Sequence, residues 1–207
     1  MSLHSETRSS GGLEPAGGGG KRPPIPVKIL ISGGFGVGKT TTVGALSEID
    51  PLSTEAPMTS ASIGVDDAGT GSQKTTTTVA MDFGRITIDE SIILYMFGTP
   101  GQDRFGFMWN DLADGALGGV VLVDPSRMED CFVALDYFEN IRLPYVVAVN
   151  HFAGRPSLTL EQVRHAVNVD PDVPVVSVDA RDREQVKAVV LTLLRRILAR
   201  AKSRSRG

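Results

Sequence analysis

Gly33-Gly34-Phe35-Gly36-Val37-Gly38-Lys39-Thr40 decides how this chain is read. The octapeptide fits G-x-x-x-x-G-K-[ST] at every fixed position. An apolar run, residues 27–32, leads into it, and residues 40–47 have the composition of a helix. A strand, a glycine-rich turn and a helix in that order make a cradle for phosphate. Glycines let the backbone curl so that successive N–H groups converge on one anion. The helix that follows turns its positive end toward the same point. Gly33, Gly34, Phe35, Gly36, Val37 and Gly38 are therefore expected to wrap the phosphates, with Thr41 just inside the helix. Lys39 is expected to bind the β- and γ-phosphates, and the Thr40 hydroxyl to ligate Mg²⁺.

Outward from this loop, apolar strands alternate with amphipathic helices, the signature of a parallel α/β sheet. Residues 78–88 and 91–97 read as two strands joined by a tight turn at Asp89-Glu90, hence an antiparallel pair. Residues 119–124, 145–150 and 173–178 read as further buried strands. Ser126 and Glu129 have the spacing of a capping box, which predicts a helix to about Asn140. Thr159 and Gln162 repeat that spacing before a short helix to about Val167. The last helix is predicted over residues 183–201. Val186, Val189, Val190, Leu193, Leu194, Ile197, Leu198 and Ala201 form an apolar stripe along it. Residues 50–77, rich in Pro, Ser, Thr, Gly and Asp, read as a long mobile connection. The expectation is an α/β fold with a six-stranded, mostly parallel sheet and helices on both faces.

The architecture matches Ras-like P-loop domains, and two segments make the resemblance specific. Thr78-Val79-Ala80-Met81-Asp82-Phe83 resembles the segment that opens with the switch I threonine. Gly98-Thr99-Pro100-Gly101-Gln102-Asp103-Arg104-Phe105 resembles the switch II motif D-T-A-G-Q-E-R-F. The resemblance implies that Thr78 reaches the γ-phosphate and Mg²⁺ in the triphosphate state. It implies that Gly101 senses the γ-phosphate through its N–H, and that Gln102 orients the attacking water. Gly98 departs from the pattern, standing where an aspartate normally holds Mg²⁺ through water. Thr40, Thr78 and the phosphates remain as ligands, and Asp82 or Asp124 are candidates to compensate. The T-P-G-Q variant is similar to gliding-motility MglA-type proteins, and more closely to the conservon D-type ATP/GTP-binding proteins of actinomycetes. That likeness covers residues 25 to about 201. It implies a nucleotide-gated switch working with a roadblock-type partner and a sensor-kinase-like protein.

Asn150-His151-Phe152-Ala153 stands where Ras-like proteins carry N-K-x-D. The resemblance implies that Asn150 bonds both the base and the phosphate loop, and that His151 stacks on the ring. Ala153 lacks the carboxylate that pairs with guanine, a loss of about 1.5–3 kcal/mol. Downstream, Asp179-Ala180-Arg181 resembles the S-A-K loop, so the Ala180 N–H is expected to bind guanine O6. Asp179 is either a contact to the ring edge or a helix-start residue. GTP and GDP are the expected nucleotides, with ATP as the alternative. Two functions follow: a slow GTPase switch using Lys39, Thr78 and Gln102, or a nucleotide-binding interaction module with little hydrolysis. A small P-loop kinase would need a lid with clustered arginines, and none is found.

The 207 residues suffice for one domain. A glycine-rich arm over residues 1–24 is expected to be disordered, the nucleotide domain to span residues 25–201, and residues 202–207 to be a basic tail. A net charge of −3 argues against a protein built to coat nucleic acid. Cys131 is the sole cysteine, which excludes an internal disulfide and fits a reducing compartment. No run approaches the roughly 20 apolar residues of a membrane span. Neither a secretory signal nor a myristoyl or prenyl signal is recognised, so a cytoplasmic protein is expected. The arginines from Arg195 onward read as a solvated helix end, or as peripheral contact with anionic lipid or an acidic partner. His4 and His165 read as surface histidines, and Trp109 as core.

Overall fold

β1 (Ile25–Ser32) runs from exposed to fully buried along its length and ends at the phosphate loop. The computed structural model describes residues 23–50, 52–58, 77–101, 108–154 and 157–204. After β1 come α1 (Lys39–Leu46), β2 (Leu52–Met58), β3 (Thr77–Asp89), β4 (Ile92–Gly98) and the short α2 (Trp109–Ala113). Then follow β5 (Ala116–Val123), α3 (Phe132–Asn140), β6 (Tyr145–Asn150), α4 (Leu160–Val167), β7 (Val175–Val178) and α5 (Arg183–Arg204). The strands form one sheet in the order β2-β3-β4-β1-β5-β6-β7. β1 pairs in parallel with both β4 and β5, and β3 lies antiparallel to β4.

All six expected strands are present, and a seventh, β2, adds an antiparallel edge. It lies inside the stretch read as a connection. Ser53, Thr54, Glu55 and Pro57 give it no apolar alternation, so its strand character comes from pairing. β3 is 13 residues long, and its outer edge offers backbone groups that a strand satisfies.

Alternation along the central strands sorts the core onto two faces. Ile29, Ile31, Val120 and Leu122 pack with Val43 and Leu46 of α1 and with Val186, Val190 and Leu193 of α5. Leu30, Val121, Val123 and Val147 pack on the other face with Leu135 and Phe138 of α3 and Val163 of α4. Helices therefore cover both faces, and Trp109 is buried in the second cluster. β6 is buried at every residue, as a strand flanked on both faces and both edges must be. The apolar stripe of α5 is shorter than its sequence suggests. Leu198 is 60% exposed, on the same side of the helix as the exposed Leu191, while its neighbour Ile197 still packs against the core.

One capping box forms and the other does not. Thr159 and Gln162 exchange both expected hydrogen bonds at the start of α4. Ser126 instead donates its hydroxyl and its N–H to the Asp124 carboxylate, 2.7 and 2.9 Å away. With Ser126 taken, Met128–Cys131 form a 3₁₀ turn that has no side-chain cap, and α3 starts only at Phe132.

The disordered arm expected over residues 1–24 falls, but for residues 23 and 24, outside the described residues. His165 is exposed on α4. Among the described residues no helix is long and apolar enough to cross a membrane.

Candidate functional site

The phosphate loop lies at the C-terminal end of β1, between the ends of β4 and β5. Gly33, Gly36 and Gly38 have φ of 133°, 70° and 105°, the region that side chains disfavour. Space is closed as well at the first of them, where a Cβ would stand 2.4 Å from the Leu122 carbonyl oxygen. Gly33→Ala is expected to cost about 3 kcal/mol through strain and overpacking. Thermal unfolding checks this, and a midpoint within a degree of wild type would contradict it.

Lys39 is buried, and its Nζ donates to the carbonyls of Gly33 at 2.8 Å and Gly34 at 2.7 Å. Burial pushes its ammonium down to about 8, against the opposing pull of Asp82 and Asp130. Gly101 closes over this end of the lysine, since a Cβ there would stand 2.5 Å from Nζ and 3.0 Å from the Phe35 backbone. Phe35, Gly36, Thr40, Thr41, Asp82 and Gly101 help line a cleft of about 380 Å³ in front of the loop. A second cleft, about 440 Å³, lies between α3, the start of β6 and α5. It holds none of the expected site residues, so the chemistry belongs to the first.

Gly98 and Asp82 explain one another. The register pairing Phe83 with Phe97 continues to place Asp82 beside Gly98 on the neighbouring strand. A Cβ at Gly98 would stand 3.0 Å from both the Cβ and Oδ2 of Asp82. The missing side chain at position 98 is thus the room that the Asp82 carboxylate fills. Thr40 Oγ1 donates to that carboxylate at 2.8 Å. A hydroxyl and a carboxylate side by side at the mouth of a phosphate cradle are hard oxygen donors of the type Mg²⁺ takes. The donor set fits Mg²⁺ held jointly with nucleotide phosphates. Among the described residues no cluster of three His, Cys, Asp or Glu could hold a metal by itself. Asp82, named from the sequence as one candidate to compensate for Gly98, is brought by the strand register beside both Gly98 and Thr40.

Asn150, at the end of β6, is buried and ties the two loops together. Its Nδ2 donates to the Val37 carbonyl at 2.9 Å, and its Oδ1 accepts from the Ala180 N–H at 3.0 Å. That second bond corrects an expectation. The Ala180 N–H, expected to face guanine O6, is spent inside the protein. Asp179 is engaged too: its carboxylate accepts from the Arg181 backbone N–H, Nε and Nη2 at 2.7–2.9 Å. These bonds from Arg181 hold the Asp179 carboxyl down at about 2. Asp179 thus forms an Asx turn ahead of α5, while the carboxylate that accepts from the first helix N–H groups, those of Glu184 and Gln185, is Asp182. The His151 backbone N–H bonds the Val178 carbonyl at 3.1 Å. Thr78 lies in β3 opposite Pro57, where only the backbone is described, and Gln102 lies outside the described residues.

Residues 31–200 match the model of a family described as conserved hypothetical ATP binding proteins. The chain belongs to that family. Its matched segment takes in the whole phosphate loop, both switch-like segments and the Asn150 and Asp179 loops. An uncharacterized protein of Methanocaldococcus jannaschii is 32% identical over 127 residues, 60% of this chain and 69% of that protein. The FeoB G-domain from Methanococcus jannaschii superposes with a TM-score of 0.56 at 13% identity, covering 82% of this chain and 98% of the G-domain. At that identity the likeness concerns the fold. Family membership and the loop together make this a nucleotide-binding P-loop protein with a G-domain-like fold.

Proposed function

We propose that the chain is a nucleotide-gated switch that binds GTP with Mg²⁺ and hydrolyses it slowly to GDP and phosphate. The observation that carries this reading is the Lys39–Thr40–Asp82 group at the mouth of the glycine loop. Lys39 holds the β- and γ-phosphates in place of the Gly33 and Gly34 carbonyls. Thr40 and Asp82, with Thr78 in the triphosphate state, hold the metal, which neutralises phosphate charge. Gln102 orients a water in line with the bond from the γ-phosphorus to the β-bridging oxygen. That bond breaks as the water oxygen attacks, and GDP leaves. Gly101, packed against Phe35 and Lys39, couples the state of the γ-phosphate to the segment that follows it. In the cell the switch would act with a roadblock-type regulatory protein and a sensor-kinase-like partner. The arginine-rich end of α5 would permit peripheral contact with anionic membrane.

ATP in place of GTP is the second reading, favoured by the spent Ala180 N–H, by Ala153 and by the description of the family. Calorimetric binding of GTP, GDP, ATP and ADP to nucleotide-free protein, with and without Mg²⁺, separates the two. On the GTP reading, guanine nucleotides are expected to bind at least about tenfold more tightly, a difference of about 1.4 kcal/mol. Equal affinities, or tighter ATP, would replace the guanine reading. Single-turnover hydrolysis by wild type and Gln102→Ala tests the enzymatic half, since equal residual rates would leave a binding module without catalysis.

A further inference from the structure

The nucleotide-binding reading uses the inner side of the phosphate loop, but a second group of charges grips its outer side. Arg127 follows β5 in the tight turn begun by Asp124, whose carbonyl accepts the Arg127 N–H. Its Nη2 reaches across to donate to the Phe35 carbonyl at 2.8 Å, a contact between residues 92 positions apart. Its Nε lies 3.6 Å from the buried Asp124 carboxylate, and its Nη1 3.6 Å from that of Asp130. Asp130 in turn abuts the loop, for a Cβ on Gly34 would stand 2.4 Å from the Asp130 Cβ. A Cβ on Gly36 would stand 3.7 Å from Arg127 Nη2. The guanidinium therefore closes over the outer side of the Phe35–Gly36 peptide, held in place by two carboxylates.

We infer that Arg127 is a positioning residue that aims the Gly36 N–H into the phosphate cleft. No cis peptide occurs among the described residues, so the Phe35 carbonyl and the Gly36 N–H point in opposite directions. Fixing the carbonyl outward on Arg127 turns the N–H inward, toward the cleft that Gly36 lines. A cationic donor on the carbonyl also polarises the peptide, leaving its N–H more positive where an anion arrives. Gly36 needs such a strap, because with φ of +70° and no side chain it has no steric preference to keep the peptide from flipping. Neither the glycine motif nor the switch segments contain this residue. It comes from the loop after β5, and only the fold brings it to the phosphates.

The inference rests on the nucleotide-binding reading, and the experiment keeps the two apart. Full-length wild type, Arg127→Gln and Arg127→Lys are compared by amide NMR and by calorimetry with a non-hydrolysable GTP analogue and Mg²⁺. In the nucleotide-free protein the Gly36 ¹⁵N resonance is expected to shift in Arg127→Gln, because its peptide carbonyl loses a charged donor. Triphosphate affinity is expected to fall about tenfold in Arg127→Gln, and by less in Arg127→Lys, which keeps a charge without the fork. The analogue-bound Gly36 amide proton is expected to lose its downfield shift in parallel. An unshifted Gly36 in the nucleotide-free variant, or affinity within twofold of wild type, overturns the inference. A wild-type chain that binds no triphosphate refutes the functional reading, while the nucleotide-free Gly36 shift still decides whether Arg127 sets the peptide. If Arg127→Gln fails to fold, the same resonances and affinities in Arg127→Lys decide.

Discussion

Lys39→Met is expected to reduce triphosphate binding at least about a hundredfold, because two charge-assisted bonds to the phosphates vanish. Calorimetry with a non-hydrolysable analogue reads this directly, and an affinity within fivefold of wild type would mean the phosphates sit elsewhere. A pH signature accompanies the loss. Burial lowers the Lys39 ammonium from 10.5 to about 8, so the unfolded chain binds this proton more tightly than the empty fold does. Between about pH 8 and 10.5 the unfolded state carries a proton that the native state has released. Stability of the nucleotide-free protein from this group therefore rises with pH across that window. Triphosphate reverses the preference, since phosphate charge favours the ammonium, and the share of affinity owed to Lys39 weakens above pH 8. Chemical denaturation between pH 7.5 and 10.5 is expected to show the rise in wild type and not in Lys39→Met. Parallel profiles for the two proteins would remove Lys39 as its source.

Asp82→Asn is expected to cost about ten- to a hundredfold in Mg²⁺-dependent triphosphate affinity while leaving Mg²⁺-free binding within a few-fold. The amide keeps the shape and still accepts from Thr40, but it removes the anionic oxygen that a hard cation prefers. Titrating Mg²⁺ against a constant nucleotide concentration isolates the effect. An unchanged Mg²⁺ midpoint would show that Asp82 only anchors Thr40. Gly98→Asp alone is not a rescue in the wild-type background, because its side chain would collide with Asp82. In Asp82→Ala the same substitution has room, and recovery of the Mg²⁺ midpoint in that double variant would show that the two positions compete for one place.

How much of this was legible beforehand depended on how local the information was. The phosphate loop is eight consecutive residues whose geometry follows from glycine and lysine chemistry, so its place between β1 and α1 could be read directly. The buried strands announced themselves as apolar runs, and Thr159 capped α4 as its spacing predicts. Ser126 had the same spacing and failed, because Asp124, two residues earlier, bonds both its hydroxyl and its N–H. β2 was hidden because an edge strand is specified by what it pairs with. Asp82 could be named only as one of two candidates, for a related reason: its place beside Gly98 is set by register across the sheet. Ala180 fitted its motif in sequence, yet its N–H had been claimed by Asn150, 30 residues away.

The Val37–Asn150–Ala180 bridge also bears on how the protein comes into being. Its three members are separated by 113 and 30 residues, and β1 is flanked by strands that are both made after it. A chain emerging from the ribosome displays the glycine octapeptide early, but nothing that follows is yet there to hold it. Closure of the cradle waits until residue 180 has been made, and such distant pairings are the slow ones in folding. Nucleotide stabilises only the state that binds it, so it favours finished molecules and gives nascent ones no help. Truncations that stop short of Ala180 would keep the whole signature motif and lose the clasp that joins it to the base-side loop.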